Sequence, residues 1–141
     1  MGHSVPILDG AEQKAGEEYC GSFAYENNTL TMELAGAYGI DTLKSLQRTI
    51  AFDDSGITLT DHFDYAGKTI TERFISKREP TVKKGEITLG KTHLFFDPSL
   101  CPTVTTETHF LHGYQGNTIP VYCIDFVLDG KEKAFTLRVE A

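Results

Sequence analysis

Residues 43–65 read LKSLQRTIAFDDSGITLTDHFDY and carry the clearest structural pattern in the chain. Apolar and polar side chains alternate on both sides of residues 53–56, which is typical of two half-buried β-strands joined by a turn. A four-residue loop at 53–56 would pair Phe52 with Ile57, Ile50 with Leu59, and Arg48 with Asp61, all on one face of the sheet. The stretch therefore predicts an antiparallel hairpin with a defined register.

The same alternation continues from residue 29 to the C-terminus, and no segment has the apolar stripe of a helix. Pairs such as Asn27-Asn28 and Asp129-Gly130 supply turns between the strands. The sequence predicts one all-β domain over residues 1–141, an antiparallel β-sandwich. The predicted strands are 29–34, 43–52, 57–65, 69–76, 85–89, 93–96, 104–111, 119–128 and 133–139, and residues 10–20 are predicted to form a loop.

A last hairpin around Asp129 has two candidate registers. A two-residue turn, the usual arrangement for Asp-Gly, would place Phe126 opposite Lys133. A four-residue loop would instead pair Phe126 with Phe135, Ile124 with Leu137, and Tyr122 with Val139. The hydrophobic pattern favours the longer loop.

Composition excludes several classes of function. The chain has 141 residues and a net charge of −7, from 20 acidic and 13 basic residues. Lys and Arg do not cluster, so the surface should repel nucleic acid and acidic polysaccharide. No apolar run approaches the roughly 20 residues of a membrane helix, and no signal peptide is visible. We therefore expect no nucleic-acid and no membrane partner.

The three cysteines are widely spaced and include no C-x-x-C pair. At least one of Cys20, Cys101 and Cys123 stays unpaired within a monomer. The pattern fits neither a disulfide framework nor a zinc ribbon. Buried free thiols are the favoured interpretation.

Two segments within the first 65 residues resemble one enzyme family. The first is a His followed by a small polar residue and a short strand, here His3-Ser4 with Asp9-Gly10 and Gln13-x-x-Gly16. The second is a strand ending in Ala-Tyr, an Arg on the next strand and an apolar-x-Asp pattern, here Ala37-Tyr38, Arg48 and Ile57-x-Leu59-x-Asp61. In this order and spacing they resemble the heparinase II/III-like polysaccharide lyases. No distinctive family motif follows.

The resemblance implies an α/α toroid followed by an antiparallel β-sandwich, with the active site in the cleft between them. The implied reaction is β-elimination on a polymer that contains uronic acid, with a base, a general acid and a group that neutralises the carboxylate. The family's toroid residues have no counterpart here, so the chain is expected to be the C-terminal β-domain without any catalytic residue. Its implied partners are the missing toroid, which would carry the basic groove, and acidic polysaccharide in the full-length enzyme. A full-length parent could be periplasmic or secreted, and the sequence leaves the compartment open.

His3 is the one residue that matches a metal-binding position of some family members. The resemblance implies that it would hold a divalent metal only with ligands supplied from upstream, so the chain alone is expected to bind no cofactor. A frayed terminal His is the alternative. His109 and His112 are three residues apart, which places them on opposite faces of a strand and argues against a shared metal.

Arg48 and Asp61 fall in phase with apolar neighbours. A buried structural ion pair is the favoured interpretation, and a charge pair in the substrate cleft is the alternative. His62 should face solvent, and His93 should be partly buried. The remaining candidates are assigned to core, rim or loop rather than to sugar stacking or calcium binding: Tyr25, Tyr38, Tyr65, Tyr114, Tyr122, Glu12, Glu17 and Glu18.

Two other functions remain open on the sequence. A stand-alone carbohydrate-binding module is disfavoured by the absence of Trp and by the negative charge. A structural or assembly module would expose a surface that normally meets another domain, and the isolated chain would then form homo-oligomers.

Overall fold

Strands form almost all of the regular structure. A computed structural model describes residues 4–110 and 118–141, apart from the side chain of Phe110. The strands are β1 (Pro6–Leu8), β2 (Ser22–Glu26), β3 (Thr29–Glu33), β4 (Leu43–Asp53), β5 (Gly56–Tyr65), β6 (Thr69–Ser76), β7 (Thr81–Lys83), β8 (Glu86–Leu89), β9 (Thr92–Phe96), β10 (Thr103–Phe110), β11 (Thr118–Asp129) and β12 (Ala134–Glu140). A single 3₁₀ turn, Ala35–Ala37, stands out among these residues. In the described ranges, no helix is long and apolar enough to cross a membrane.

The strands build two antiparallel sheets, which confirms the predicted all-β sandwich. The smaller sheet has the order β1-β6-β11-β10, and the larger has the order β2-β3-β4-β5-β12-β9-β8-β7. Most strand predictions agree with the structure to within one residue. Strands β2 and β7 were not predicted, and residue 111, the last of one predicted strand, lies outside the described residues.

The β4–β5 hairpin has the predicted register. Phe52 lies opposite Ile57, Ile50 opposite Leu59, and Arg48 opposite Asp61. Asp53 sets the turn, because its Oδ1 accepts hydrogen bonds from the backbone N–H groups of Ser55 (2.9 Å) and Gly56 (3.0 Å). The local turn chemistry thus fixes which side chains of both strands point to the core.

The last predicted hairpin does not form, because its two strands, β11 and β12, lie in different sheets, so both candidate registers are wrong. Strand β11 pairs with β6 and β10, whereas β12 pairs with β5 and β9 in the other sheet. Phe126 and Phe135 do meet, with ring centroids 5.1 Å apart, but across the sandwich and not along a ladder. Alternation shows which face of a strand is buried, and it does not show which strand lies beside it.

The core lies between the sheets and is centred on Phe126. Its ring contacts Phe96, with centroids 4.9 Å apart and ring planes at 70°, and Phe74, with centroids 6.1 Å apart and planes at 84°. Edge-on aromatic packing of this kind adds stability beyond burial of apolar area. Fully buried aliphatic side chains fill the space around these rings: Leu8, Leu46, Ile70, Ile87, Ile124 and Leu137.

Candidate functional site

A cluster of three charged residues lies inside the sandwich. Arg48 is 6% exposed, and Asp61 and Glu72 are fully buried. The guanidinium binds the Asp61 carboxylate in bidentate fashion, with Nε 2.8 Å from Oδ1 and Nη2 2.5 Å from Oδ2. The structure therefore places Arg48 and Asp61 in a direct, buried ion pair, as the hairpin register predicts.

Glu72 reaches the pair from the opposite sheet. Its Oε2 lies 3.2 Å from Nη2 of Arg48, and Arg48 Nη1 donates a 3.0 Å hydrogen bond to the carbonyl of Ser4. Arg48 thus connects the larger sheet to β6 and to the segment before β1. The sequence analysis missed Glu72, although it lies in phase with Ile70 and Phe74 on a strand whose core face is otherwise apolar.

Two buried carboxyl groups share one guanidinium, an arrangement that disfavours a negative charge on both of them at once. Burial raises the pKa of Glu72 well above its usual range, and the charge and hydrogen bond of Asp61 raise it further. A neutral Glu72 beside a charged Arg48–Asp61 pair gives the cluster no net charge. Among the described residues, Oε1 of Glu72 has no hydrogen-bond partner, which a protonated acid tolerates better than a carboxylate does.

Two tyrosines fix the N-terminal segment beside this cluster. The Tyr38 hydroxyl donates a 2.7 Å hydrogen bond to the carbonyl of Pro6, and burial raises the pKa of Tyr38. The Tyr65 hydroxyl donates a 2.8 Å bond to Oδ2 of Asp9, and burial together with that bond raises the pKa of Tyr65 to about 12. Asp9 also accepts the backbone N–H of Thr69 at 2.8 Å. Both phenols are neutral donors at physiological pH.

The two segments that carry the family resemblance therefore meet in space. Residues 4–9 lie against Tyr38, Arg48 and Tyr65, and Asp61 completes the same cluster. Arg48, Asp61 and Tyr38 are buried, so none of them can reach a polymer in solution. The arrangement holds the N-terminal segment to the sandwich.

The histidines do not form a metal site in the described ranges, where no group of three or more potential ligands comes together. His3 and His112 lie outside the described residues. His109 pairs with Glu107 at 2.9 Å, and His93 Nδ1 lies 2.7 Å from Glu86. His62 is exposed, on the face opposite Asp61.

The prediction that the thiols are buried is wrong for two of the three cysteines. Cys20 and Cys101 are exposed and only Cys123 is buried. Cys20 and Cys101 lie in connections between strands, where the sequence has no alternating pattern from which burial could be predicted. Cys123 lies within β11. Among the tyrosines, Tyr38 and Tyr65 are buried, Tyr122 is partly buried and Tyr25 is exposed; Tyr114 is outside the described residues.

Comparison of the fold with solved structures gives one consistent result. The chain superimposes on a heparinase III with a TM-score of 0.68 and 12% identity, covering 98% of this chain and 23% of that one. It superimposes on the heparan sulfate lyase HepC from Pedobacter heparinus with a TM-score of 0.61 and 14% identity, covering 98% of this chain and 24% of that one. The chain has the fold of one part of a heparan sulfate lyase. A mutant of HepC gives the same coverage, with a TM-score of 0.64 and 15% identity.

The chain spans about a quarter of the length of these lyases. No protein-family model and no curated protein sequence matches it. The likeness thus lies in the fold, at an identity too low to carry residue roles from one protein to another.

Proposed function

We propose that this chain is the C-terminal β-sandwich domain of a heparinase II/III-like polysaccharide lyase. In that enzyme it braces the α/α toroid and forms one wall of the cleft that binds a uronic-acid polymer. The observation that carries the proposal is the match of 98% of the chain to about a quarter of the heparinase III and HepC structures. The clustering of Asp9, Tyr38, Arg48 and Asp61, the residues of the sequence resemblance, supports it independently.

The domain is proposed to be non-catalytic by itself. Elimination needs a base for the C5 proton, an acid for the leaving oxygen and a group that neutralises the carboxylate. Tyr38 and Arg48 have suitable chemistry but are buried and bound to partners inside the sandwich. We assign the base and the acid to the toroid. The described residues offer no donor set that fits the divalent metal of some family members, so no step is assigned to a metal.

A carbohydrate-binding module is the second candidate, and one observation favours it. Phe23 and Tyr25 are exposed side by side on β2, and exposed aromatic rings can stack on sugar rings. The net charge of −7 opposes binding of an acidic glycan. A neutral glycan would therefore be the better ligand for such a module.

Turnover measurements test the proposal. The elimination product contains a conjugated double bond, so ultraviolet absorbance reports the reaction directly. The purified chain should not turn over heparan sulfate or another uronate polymer, whereas the same chain joined to the toroid of its lyase should. Sustained turnover by the chain alone would refute the proposal, and selective binding of a neutral glycan would favour the module.

A further inference from the structure

The positive charges of this acidic chain are unevenly distributed. Residues 77–91 contain five of its 13 basic residues and only two of its 20 acidic residues. The rest of the chain is strongly acidic, so this segment has a charge opposite in sign to that of the remainder. The prediction that Lys and Arg do not cluster is therefore wrong for this segment. We call it the basic edge, and its cationic residues are Lys77, Arg78, Lys83, Lys84 and Lys91.

Two of these cations lie at the tip of the β7–β8 hairpin. Strand β7 is the last in the order of the larger sheet, and it pairs with β8 so that Lys83 lies opposite Glu86. Lys84 follows in the turn between the two strands. Both lysines are exposed. They lie at an edge of the sheet to which the described part of the chain adds no further strand.

Arg78 and Lys91 lie at the opposite end of the same hairpin. The guanidinium of Arg78 lies against Gly90, since a Cβ added to Gly90 would be 2.6 Å from its Nη1. Lys91 is the next residue of the turn between β8 and β9. Glu86, the residue opposite Lys83, is four positions before Gly90, which corresponds to about 13 Å along a strand. The basic edge thus presents two groups of cations, one at each end of the hairpin.

These cations are available to an external anion. Within residues 4–110 and 118–141, none of the five takes part in an ion pair, whereas Arg48, Arg73 and Arg138 each bind a carboxylate. The carboxylate of Glu86 is engaged on its other side, where Oε1 lies 2.7 Å from Nδ1 of His93. The positive charge of the segment is therefore not neutralised by its own side chains.

Protection of the sheet edge does not account for this cluster. A Lys on an edge strand can prevent unwanted strand pairing, and Lys83 on the three-residue β7 has that position. The other four cations lie outside the strands, between β6 and β7, in the β7–β8 turn and in the β8–β9 turn. Their concentration at one edge of a chain with a net charge of −7 points to an anionic partner.

The distribution of charge favours a polysaccharide over a nucleic acid. Duplex DNA carries a negative charge about every 1.7 Å, and it would extend this charge over the acidic remainder of the molecule. Residues 77–91 contain no Phe, Tyr or Trp on which bases could stack. A linear polysaccharide with carboxylate or sulfate groups can contact two separate groups of cations without a continuous basic surface.

We propose that the basic edge is a binding surface for a linear acidic polysaccharide, which contacts Arg78 and Lys91 at one end of the hairpin and Lys83 and Lys84 at the other. The choice of a polysaccharide rests on the function proposed above, and the inference assigns the residues of this domain that contact the polymer. Arg binds a carboxylate or sulfate through two parallel hydrogen bonds, whereas Lys acts as a point charge. The chain thus binds an acidic polymer locally, despite its net negative charge.

Calorimetric titration of the chain with heparan sulfate at low ionic strength tests the inference. One test variant combines Lys83→Gln with Lys84→Gln, and the other combines Arg78→Gln with Lys91→Gln. Each should weaken binding by at least about fivefold, because each removes one of the two groups of cations. Binding by the wild type should weaken steeply as salt is added.

The matched control removes two positive charges elsewhere in the molecule. Lys44 lies on β4, five strands from β7 in the sheet order, or about 24 Å at the usual strand spacing. Lys68 lies in the turn after β5, and both side chains are exposed. Lys44→Gln with Lys68→Gln gives the same net charge as each test variant and should bind like the wild type. Circular dichroism and thermal melting verify that each variant is folded.

The outcomes separate local binding from an effect of net charge. Weaker binding in both test variants but not in the control supports the basic edge. An equal loss in all three variants, or no binding of heparan sulfate by the wild type at low salt, would overturn it. A DNA duplex bound as tightly as heparan sulfate would overturn the choice of a polysaccharide.

The proposed function is tested separately, by turnover of the chain joined to the toroid of its lyase. Turnover by the joined protein, with unchanged binding in both test variants, would overturn this inference and leave the proposed function standing. Binding through the basic edge without such turnover would overturn the proposed function alone.

Discussion

Glu72 affects the charge balance of the buried cluster that it forms with Arg48 and Asp61. It lies in the smaller sheet, 3.2 Å from a guanidinium that already has a bidentate partner in the larger sheet. A second buried carboxylate would leave an unbalanced negative charge, which is far more costly than a neutral acid. Burial, followed by the charge of Asp61, raises the pKa of Glu72, which favours the protonated acid at this position.

Glu72→Gln should therefore not destabilise the protein. The amide keeps the shape and the absence of charge, so the free energy of unfolding near neutral pH should not fall by more than about 1 kcal/mol. Arg48→Met, in contrast, should cost about 3–5 kcal/mol, because it leaves Asp61 as an unpaired buried charge. Urea denaturation of the three proteins measures both effects. A loss as large for Glu72→Gln as for Arg48→Met would show that Glu72 is ionised.

The pH dependence of stability gives a second test of whether Glu72 is protonated in the folded protein. A carboxyl group whose pKa is higher in the folded than in the unfolded state stabilises the fold at low pH, and that stability is lost as pH rises towards the folded value. The wild type should thus lose stability relative to Glu72→Gln as the pH rises above about 4.5, the ordinary value for Glu. Urea denaturation of both proteins from about pH 4 to 8 tests this. Parallel stability curves would contradict a raised pKa.

At the level of the strands, the sequence predicted the features that depend only on residues within a half-buried strand or its hairpin. The β4–β5 register followed from the turn at Asp53 and from alternation, and it placed Arg48 opposite Asp61. Strands β2 and β7 were missed because all their residues are exposed, so burial imposes no pattern on them. The placement of β11 and β12 in different sheets and the contact of Glu72 with Arg48 depend on how the two sheets stack, which alternation within a strand does not encode.

The turn between β2 and β3 allows a prediction about the stability of this hairpin. Asn27 and Asn28 both have positive φ, at 49° and 57°, a conformation that Asn and Gly tolerate and β-branched residues do not. Asn27→Val should destabilise the hairpin by about 1–2 kcal/mol, whereas Asn27→Gly should not. Hydrogen exchange of the β2 and β3 amides measures the local effect. Equal protection in both variants would show that the turn does not hold the hairpin.

The whole molecule is an acidic sandwich that exposes several large apolar side chains, and these two properties act in opposite directions in solution. The exposed Phe23, Tyr25 and Phe52 favour self-association of the isolated chain, and the charge of −7 on each copy opposes it. Binding of an acidic polysaccharide at the basic edge would instead be strengthened by charge. Salt should therefore have opposite effects on the two kinds of association.

We expect the isolated chain to self-associate weakly and more strongly as salt is raised, because screening removes the repulsion and leaves the apolar attraction. Sedimentation velocity over a range of protein and salt concentrations measures this. The variant with Phe23→Asp and Tyr25→Asp should stay monomeric throughout, and Val127→Asp should behave like the wild type, since Val127 lies on the other sheet and on its outer side. A wild type that remains monomeric at high protein and high salt would show that the exposed Phe23 and Tyr25 do not drive self-association.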